Sequence, residues 1–159
     1  NPASVQGEIR FVDMLERMGC TVMRGKDYVG IVGPETLQPV GEVNMNSMPD
    51  TVQTLAVLAT IIQGTTVITG IGNLREKETD RIKALETELA KVGITAVATE
   101  SSLTIHGGTP RGAAIATYDD HRIAMSFSVL GLRVPGISIH DPSCVSKSFP
   151  TFYELLDRL

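Results

Sequence analysis

The chain repeats itself, and no other feature narrows its possible folds as much. Residues 15–33, "LERMGCTVMRGKDYVGIVG", match residues 89–107, "LAKVGITAVATESSLTIHG", at an offset of 74. Both copies read as a helix end, a glycine stop, a strand, a polar turn and a second strand. A second register has an offset of 70. In it "DTVQTLAVLA" (50–59) falls on "DHRIAMSFSV" (120–129), and "TTVITGIGNLREK" (65–77) on "PGISIHDPSCVSK" (135–147), so that Lys77 lands on Lys147. Self-similarity at a fixed spacing means one supersecondary unit used more than once.

That unit is β-α-β-α-β-β: strand, buried helix, strand, a loop bearing the lysine, amphipathic helix, and two strands. Residues 39–109 hold a complete copy. Residues 1–38 carry the last helix and hairpin of another, and 110–159 begin a third that runs through the helix in "FPTFYELLDRL" (149–159). All of it, 1–159, is expected to form a single domain. The stretches 50–62 and 121–132 are apolar nearly all round, so both helices should be covered on every side. An α/β fold with sheets outside and these helices inside follows. The copies are too few and too dissimilar for an open solenoid.

Aromatic residues make up 4% of the chain and tryptophan is absent, so the core must be aliphatic. The net charge of −4 gives no general attraction to nucleic acid or to an anionic membrane, and any anion site must be local. Cys20 and Cys144 lie far apart without metal-like spacing, which suits free thiols in a reducing compartment, the cytoplasm. The apolar run "TVQTLAVLATII" (51–62) is shorter than the ~20 residues a membrane span needs. The chain opens "NPASVQGEIRF", with neither an initiator methionine nor a signal-peptide pattern, and reads as a piece of something longer.

Several charges sit where a helix would not put them for its own sake. In "GNLREKETDRIKALETEL" (72–89), Ile82, Leu85, Leu89 and then Val92 form one stripe. With the helix carried back through Glu78, that carboxylate falls near the centre of the stripe and Arg81 at its edge. A glutamate suits the positive end of a helix dipole. Lys77 and Arg81 do not, unless an anion lies between them. The plain alternative is an ion pair between Glu78 and Arg81, worth roughly a few tenths of a kcal/mol. The stretch "TYDDHRIAMSF" (117–127) repeats the anomaly, with Asp120 placed to cap a helix whose first turn holds His121 and Arg122. A guanidinium there suits a carboxylate or a phosphate. In "SMPDTVQTL" (47–55), Asp50 stands at the mouth of a third helix, as a cap, a general base, or both. Lys147, equivalent to Lys77, should point toward the same end of the domain.

Lys77, Arg81, Arg122 and Lys147 are thus expected around Asp50 and Glu78, with His121 beside them. Such a set fits a small substrate bearing phosphate and carboxylate, and acid–base chemistry on it. Other chemistries lack their residues. There is no Walker-type glycine loop, no metal-spaced His or Cys cluster and no serine in a nucleophile elbow, and Gly70 with Gly72 makes only a lone G-x-G.

These stretches resemble the C-terminal part of the EPSP synthase (3-phosphoshikimate 1-carboxyvinyltransferase) family. The resembling segments are "GNLREKETDRI", "ATYDDHRIAMSFSV", "DPSCVSKSFPTF" and, more loosely, "VNMNSMPDTVQTLAVLA" and "SVQGEIRFVDMLERMGC". Together they cover nearly the whole chain. The N-x-R-x-K-E-T-D-R and D-H-R-x-A-M strings set it apart from other enolpyruvyl transferases.

The resemblance implies that shikimate 3-phosphate attacks phosphoenolpyruvate through its 5-hydroxyl, giving a tetrahedral intermediate that loses phosphate, with no metal or organic cofactor. It implies that Asp50 takes the hydroxyl proton, and that Glu78 gives a proton to the methylene carbon and later removes one. Arg81, Arg122 and Lys147 would hold the phosphate and carboxylate of phosphoenolpyruvate. Asn73 and Lys77 would meet the shikimate hydroxyls, and His121 would support the site. The inhibitor glyphosate would take the phosphoenolpyruvate position. The family closes two such domains around its substrates, and this chain lacks the other one, with its lysine–serine loop, an arginine and the serines that grip the shikimate phosphate. The missing N-terminal domain is therefore the expected partner, and the chain alone is expected to fold without catalysing. The compartment becomes the plastid for a plant parent. Two rivals are a UDP-N-acetylglucosamine enolpyruvyl transferase, not expected to carry K-E-T-D-R, and a non-catalytic anion-binding module.

Overall fold

A computed structural model describes residues 4–159. Helix α1 (Phe11–Arg17) leads into a hairpin of β1 (Thr21–Arg24) and β2 (Val29–Val32). Then come β3 (Glu42–Asn44), α2 (Val52–Thr60), β4 (Gly64–Thr69), α3 (Arg81–Lys91), β5 (Thr95–Ala98) and β6 (Ser102–Gly107). The chain ends with β7 (Ala114–Ile115), α4 (His121–Gly131), β8 (Ser138–Ile139) and α5 (Phe152–Leu156). Three 3₁₀ turns, Pro49–Thr51, Gly72–Glu76 and Pro142–Lys147, lie at the ends of helices and strands that bear the site.

Both repeat registers are visible in the elements. β1 maps onto β5 at the offset of 74, and the 3₁₀ turn at Gly72 maps onto that at Pro142 at the offset of 70. The glycine stops after α1 and α3 are Gly19 and Gly93, at φ of 96° and 82°, left-handed backbone that reverses the chain into the following strand. β3 and β4 pair in parallel around α2, as β7 and β8 do around α4. β4 and β5 flank β6 antiparallel, giving a four-stranded sheet of order β3-β4-β6-β5. Helices α2 and α3 pack on that sheet, and α2 also packs on α4, which lies against β8.

The core is aliphatic, as composition requires. The α3 stripe of Ile82, Leu85, Leu89 and Val92 is wholly buried, each side chain worth roughly 1.5–3 kcal/mol in removed apolar surface. No helix among the described residues is long and apolar enough to cross a membrane.

Two expectations need correction. The helix expected over 50–62 is α2 at Val52–Thr60, preceded by its 3₁₀ turn. Nor are α2 and α4 covered on every side. Thr54, Ile61, Val129 and Leu132 are exposed, and a groove of about 160 Å³ runs between the helices, lined by Asp50, Thr54, Val57, Leu58, Arg122, Met125, Ser126 and Val129. An all-round apolar pattern says what a helix can bury, and among the described residues nothing lies over this strip.

Inside α2, Gln53 is fully buried, and neither its amide oxygen nor its amide nitrogen finds a hydrogen-bond partner among the described residues. Burying an unpaired amide costs about 1–3 kcal/mol. Gln53→Met keeps the volume and removes the polar atoms, and should raise the unfolding free energy by about 1–2 kcal/mol in urea titration. A loss of stability would show that the amide is satisfied in solution.

Candidate active site

The starts of α2, α3 and α4 come together through one guanidinium. Arg81, the first residue of α3, is 1% exposed. Its Nε donates to Asp120 Oδ2 at 2.7 Å, Nη1 to Asp50 Oδ1 at 3.3 Å, and Nη2 lies 2.8 Å from Glu78 Oε2 and 3.4 Å from Asp120 Oδ1. A second arginine joins the same carboxylates. Arg122 Nη2 donates to Asp50 Oδ2 at 2.6 Å, its Nη1 to the Asp50 carbonyl at 3.2 Å, and its backbone N–H to Asp120 Oδ1 at 2.8 Å.

Local sequence explains each placement. Asp120 caps α4, as expected. Asp80 caps α3 by accepting from the Lys83 N–H, so the helix begins at Arg81 rather than earlier. Glu78 therefore lies outside the helix, correcting the expectation that it sits on the buried stripe. It is in the bend between the Gly72–Glu76 turn and the cap, 38% exposed in its side chain and reaching Arg81 from outside. Asp50 makes no cap hydrogen bond. It belongs to the 3₁₀ turn that Pro49 opens, which leaves both its carboxylate oxygens for the arginines.

His121 Nδ1 stands 3.9 Å from Glu78 Oε1, just beyond a hydrogen bond, and is buried without a partner among the described residues. Burial lowers its pKa; Arg122 and Arg81 push the same way, against the pull of Asp120 and Glu78, so the ring is held below the ordinary histidine value. Burial acts on Asp120 in the opposite sense, raising its pKa. The hydrogen bond and charge of Arg81 and the N–H groups of Arg122 and Ile123 outweigh it, and the carboxyl titrates below its usual value. It stays ionised at neutral pH.

Lys147 ends the Pro142–Lys147 turn and joins through the neighbouring loop, its Nζ 2.7 Å from the Asp119 carbonyl and 3.7 Å from the Asp119 carboxylate. Asn73 and Lys77 are exposed on and just after the Gly72–Glu76 turn, close along the chain to Glu78 but outside the ion-pair network. So Asp50, Glu78, Arg81, His121 and Arg122 are brought together, Lys147 adjoins them, and Asn73 and Lys77 flank them.

The pattern left one thing unread. Arg81 and Arg122 were expected as open forks for an anion, yet each is already paired with carboxylates. Asp120 is the missed partner. Its signal is its adjacency to His121 and Arg122, where a capping role and a functional one weigh about evenly. The linked set holds Arg81 and Arg122 against Asp50, Glu78 and Asp120, one negative charge in excess, so an anion entering here competes with carboxylates for the guanidinium groups. Among the described residues no three His, Cys, Asp or Glu side chains are grouped to hold a metal ion.

The family model described as EPSP synthase (3-phosphoshikimate 1-carboxyvinyltransferase) matches residues 1–156. A 3-phosphoshikimate 1-carboxyvinyltransferase of Methanoculleus marisnigri is 48% identical over 156 residues, 98% of this chain and 37% of that protein. One from Trichormus variabilis is 43% identical over 150 residues, 94% of this chain and 35% of that protein. Among solved structures, EPSP synthase from Acinetobacter baumannii superposes with a TM-score of 0.80 at 34% identity, covering 99% of this chain and 39% of that one. The enolpyruvyl transferase NikO from Streptomyces tendae gives a TM-score of 0.76 at 23% identity over 96% of this chain and 35% of its own, a likeness of fold alone. The chain spans little more than a third of these proteins.

Proposed function

Because this chain belongs to the EPSP synthase (3-phosphoshikimate 1-carboxyvinyltransferase) family, we propose that it supplies one wall of a site that transfers the enolpyruvyl group of phosphoenolpyruvate to the 5-hydroxyl of shikimate 3-phosphate. The other wall comes from the N-terminal domain that completes the family's cleft, in the cytoplasm, or in the plastid for a plant parent. Alone, the chain leaves the anions half-caged and in water, where neither orientation nor charge stabilisation is complete.

The observation that carries this reading is the sharing of Asp50 between Arg81 and Arg122. Phosphoenolpyruvate brings a phosphate and a carboxylate, and each offers the paired oxygens that a guanidinium fork suits. When it arrives, Arg122 turns from Asp50 to the ligand, joined by Lys147 from the Asp119 loop. Asp50, freed from its strongest partner, then accepts the proton of the attacking hydroxyl. Substrate binding and activation of the base are one event.

Glu78, in its protonated form once the ligand has drawn the arginines away, gives its proton to the methylene carbon as the hydroxyl oxygen bonds to the neighbouring carbon. It takes a proton back from the resulting methyl group as phosphate leaves with the proton that Asp50 had accepted, which restores the double bond and returns both carboxyl groups to their starting states. His121, neutral and short of a partner, closes its 3.9 Å gap to Glu78 and steadies it. Asn73 and Lys77 face the shikimate hydroxyls. Arg81, walled in by carboxylates, acts from behind by fixing Asp50, Glu78 and Asp120, and its fork reaches phosphoenolpyruvate only when Asp50 has moved.

The test is Arg122→Ala in the intact two-domain enzyme. Two charge-assisted hydrogen bonds are at stake, so kcat/KM for phosphoenolpyruvate should fall by about 10²–10⁴, with melting temperature changed little. Turnover with UDP-N-acetylglucosamine in place of shikimate 3-phosphate would overturn the acceptor assignment.

A further inference from the structure

Two residues outside this set hold the loop that leads into it. Glu88 is fully buried and, with Arg81 and Asp120, makes up the buried charged side chains among the described residues. It lies seven positions past Arg81 on α3, two turns along, so both leave the same face of the helix. Its carboxylate accepts from the Ala116 N–H at 3.1 Å and from the Tyr118 hydroxyl at 2.6 Å, with Lys91 Nζ 2.8 Å away. Two turns earlier Arg81 grips Asp120. Helix α3 thus fastens residues 116–120 at both ends.

Between the fastenings the backbone is strained. Tyr118 and Asp119 stand at φ of 56° and 54°, and among the described residues only Asp141, at the head of the turn that ends in Lys147, joins them as a non-glycine residue of positive φ. A left-handed tyrosine persists only where its surroundings over-determine it. The strained pair aims the Asp119 carbonyl at Lys147 and delivers Asp120 to the start of α4, against Arg81. The Tyr118 phenol shares in the clasp, its pKa pushed up to about 12 by burial and by the Glu88 carboxylate.

We propose that Glu88 and Tyr118 are positioning residues, a clasp that sets where Asp120, and through it Arg81, and Lys147 stand. What the clasp serves rests on the transferase reading, while its existence does not. Neither side chain belongs to the anion-binding set, so its influence runs through the 116–120 segment.

The test is Tyr118→Phe, Glu88→Gln and the double variant in the intact enzyme, with kcat, KM and melting temperature measured for each. Tyr118→Phe deletes one hydroxyl and is the milder change. Each single variant should lose about tenfold or more in kcat, since a misplacement of about 1 Å can cost about a hundredfold. The double variant should be no worse than the poorer single one, because the two side chains act as a unit. A lowered melting temperature with kcat within about twofold of wild type would mean mere structural support, and would overturn the proposal. A second readout does not need turnover. In amide spectra of the 159-residue chain, Tyr118→Phe should shift the signals of Asp119 to Arg122 and of Lys147. If these move while the wild-type intact enzyme transfers no enolpyruvyl group, the functional reading fails and the clasp stands. If they stay in place, the clasp fails.

Discussion

Asp120→Ala should cost this chain about 3–5 kcal/mol of unfolding free energy, a large share of the roughly 5–15 kcal/mol available to a domain. The substitution removes the one fully buried carboxylate partner of a guanidinium 1% exposed, which holds its Nε, and leaves that charge to Glu78 and Asp50, whose side chains are 38% and 30% exposed. It also removes the α4 cap, worth about 1 kcal/mol. Asp120→Asn separates the two effects, because asparagine caps nearly as well and carries no charge. If the buried charge dominates, Asn should recover only the capping share in urea titration. The pH dependence gives a further check. Since the folded-state pKa of Asp120 is depressed, its contribution is fully present above the ordinary aspartate value and is lost as pH falls through the folded value. The Asn variant should lack that part of the acid limb. A loss below about 1 kcal/mol for the alanine variant would show that Arg81 is re-solvated and that the network is not a buried one.

Glu78→Gln should lower kcat of the intact enzyme by about 10²–10⁴, the usual worth of a positioned proton carrier. The amide can still accept from Arg81 through its oxygen, so KM for phosphoenolpyruvate should hardly change. Stability should move by less than about 0.5–1 kcal/mol, because the side chain is more than a third exposed and its ion pair is screened. The separation of kcat from both KM and stability is the signature sought. A fall in kcat smaller than about tenfold would take the proton-transfer role from Glu78. Asp50, the other carboxylate at the mouth, would then be the group to replace next.

Most of the architecture was legible because repeats and periodicity are properties of the chain alone. The offset that aligns Lys77 with Lys147 also aligned their turns, and the α3 stripe from Ile82 to Val92 is buried throughout. Helix starts were read less well. Glu78 fits the stripe by angle, but Asp80 is a stronger cap than the Thr79 and Glu78 just before it, and the helix starts from that cap. Residue types drew the site together but could not assign its pairs. Arg81 has Asp50, Glu78 and Asp120 as partners at 31, 3 and 39 residues' separation, and a local pattern sees only the second. Glu88 and Tyr118 were invisible for the same reason. A glutamate in mid-helix and a tyrosine in a loop look solvated until the fold sets one on the other.

The strip along α2 and α4 has a consequence of a more practical kind. Val129 lines the groove, Ile61 and Leu132 follow the last turns of the two helices, all three carry apolar surface in water, and like surfaces on separate molecules adhere. Raising the concentration of this chain should therefore favour its association with itself, and a mild amphiphile that coats those two helices should oppose it.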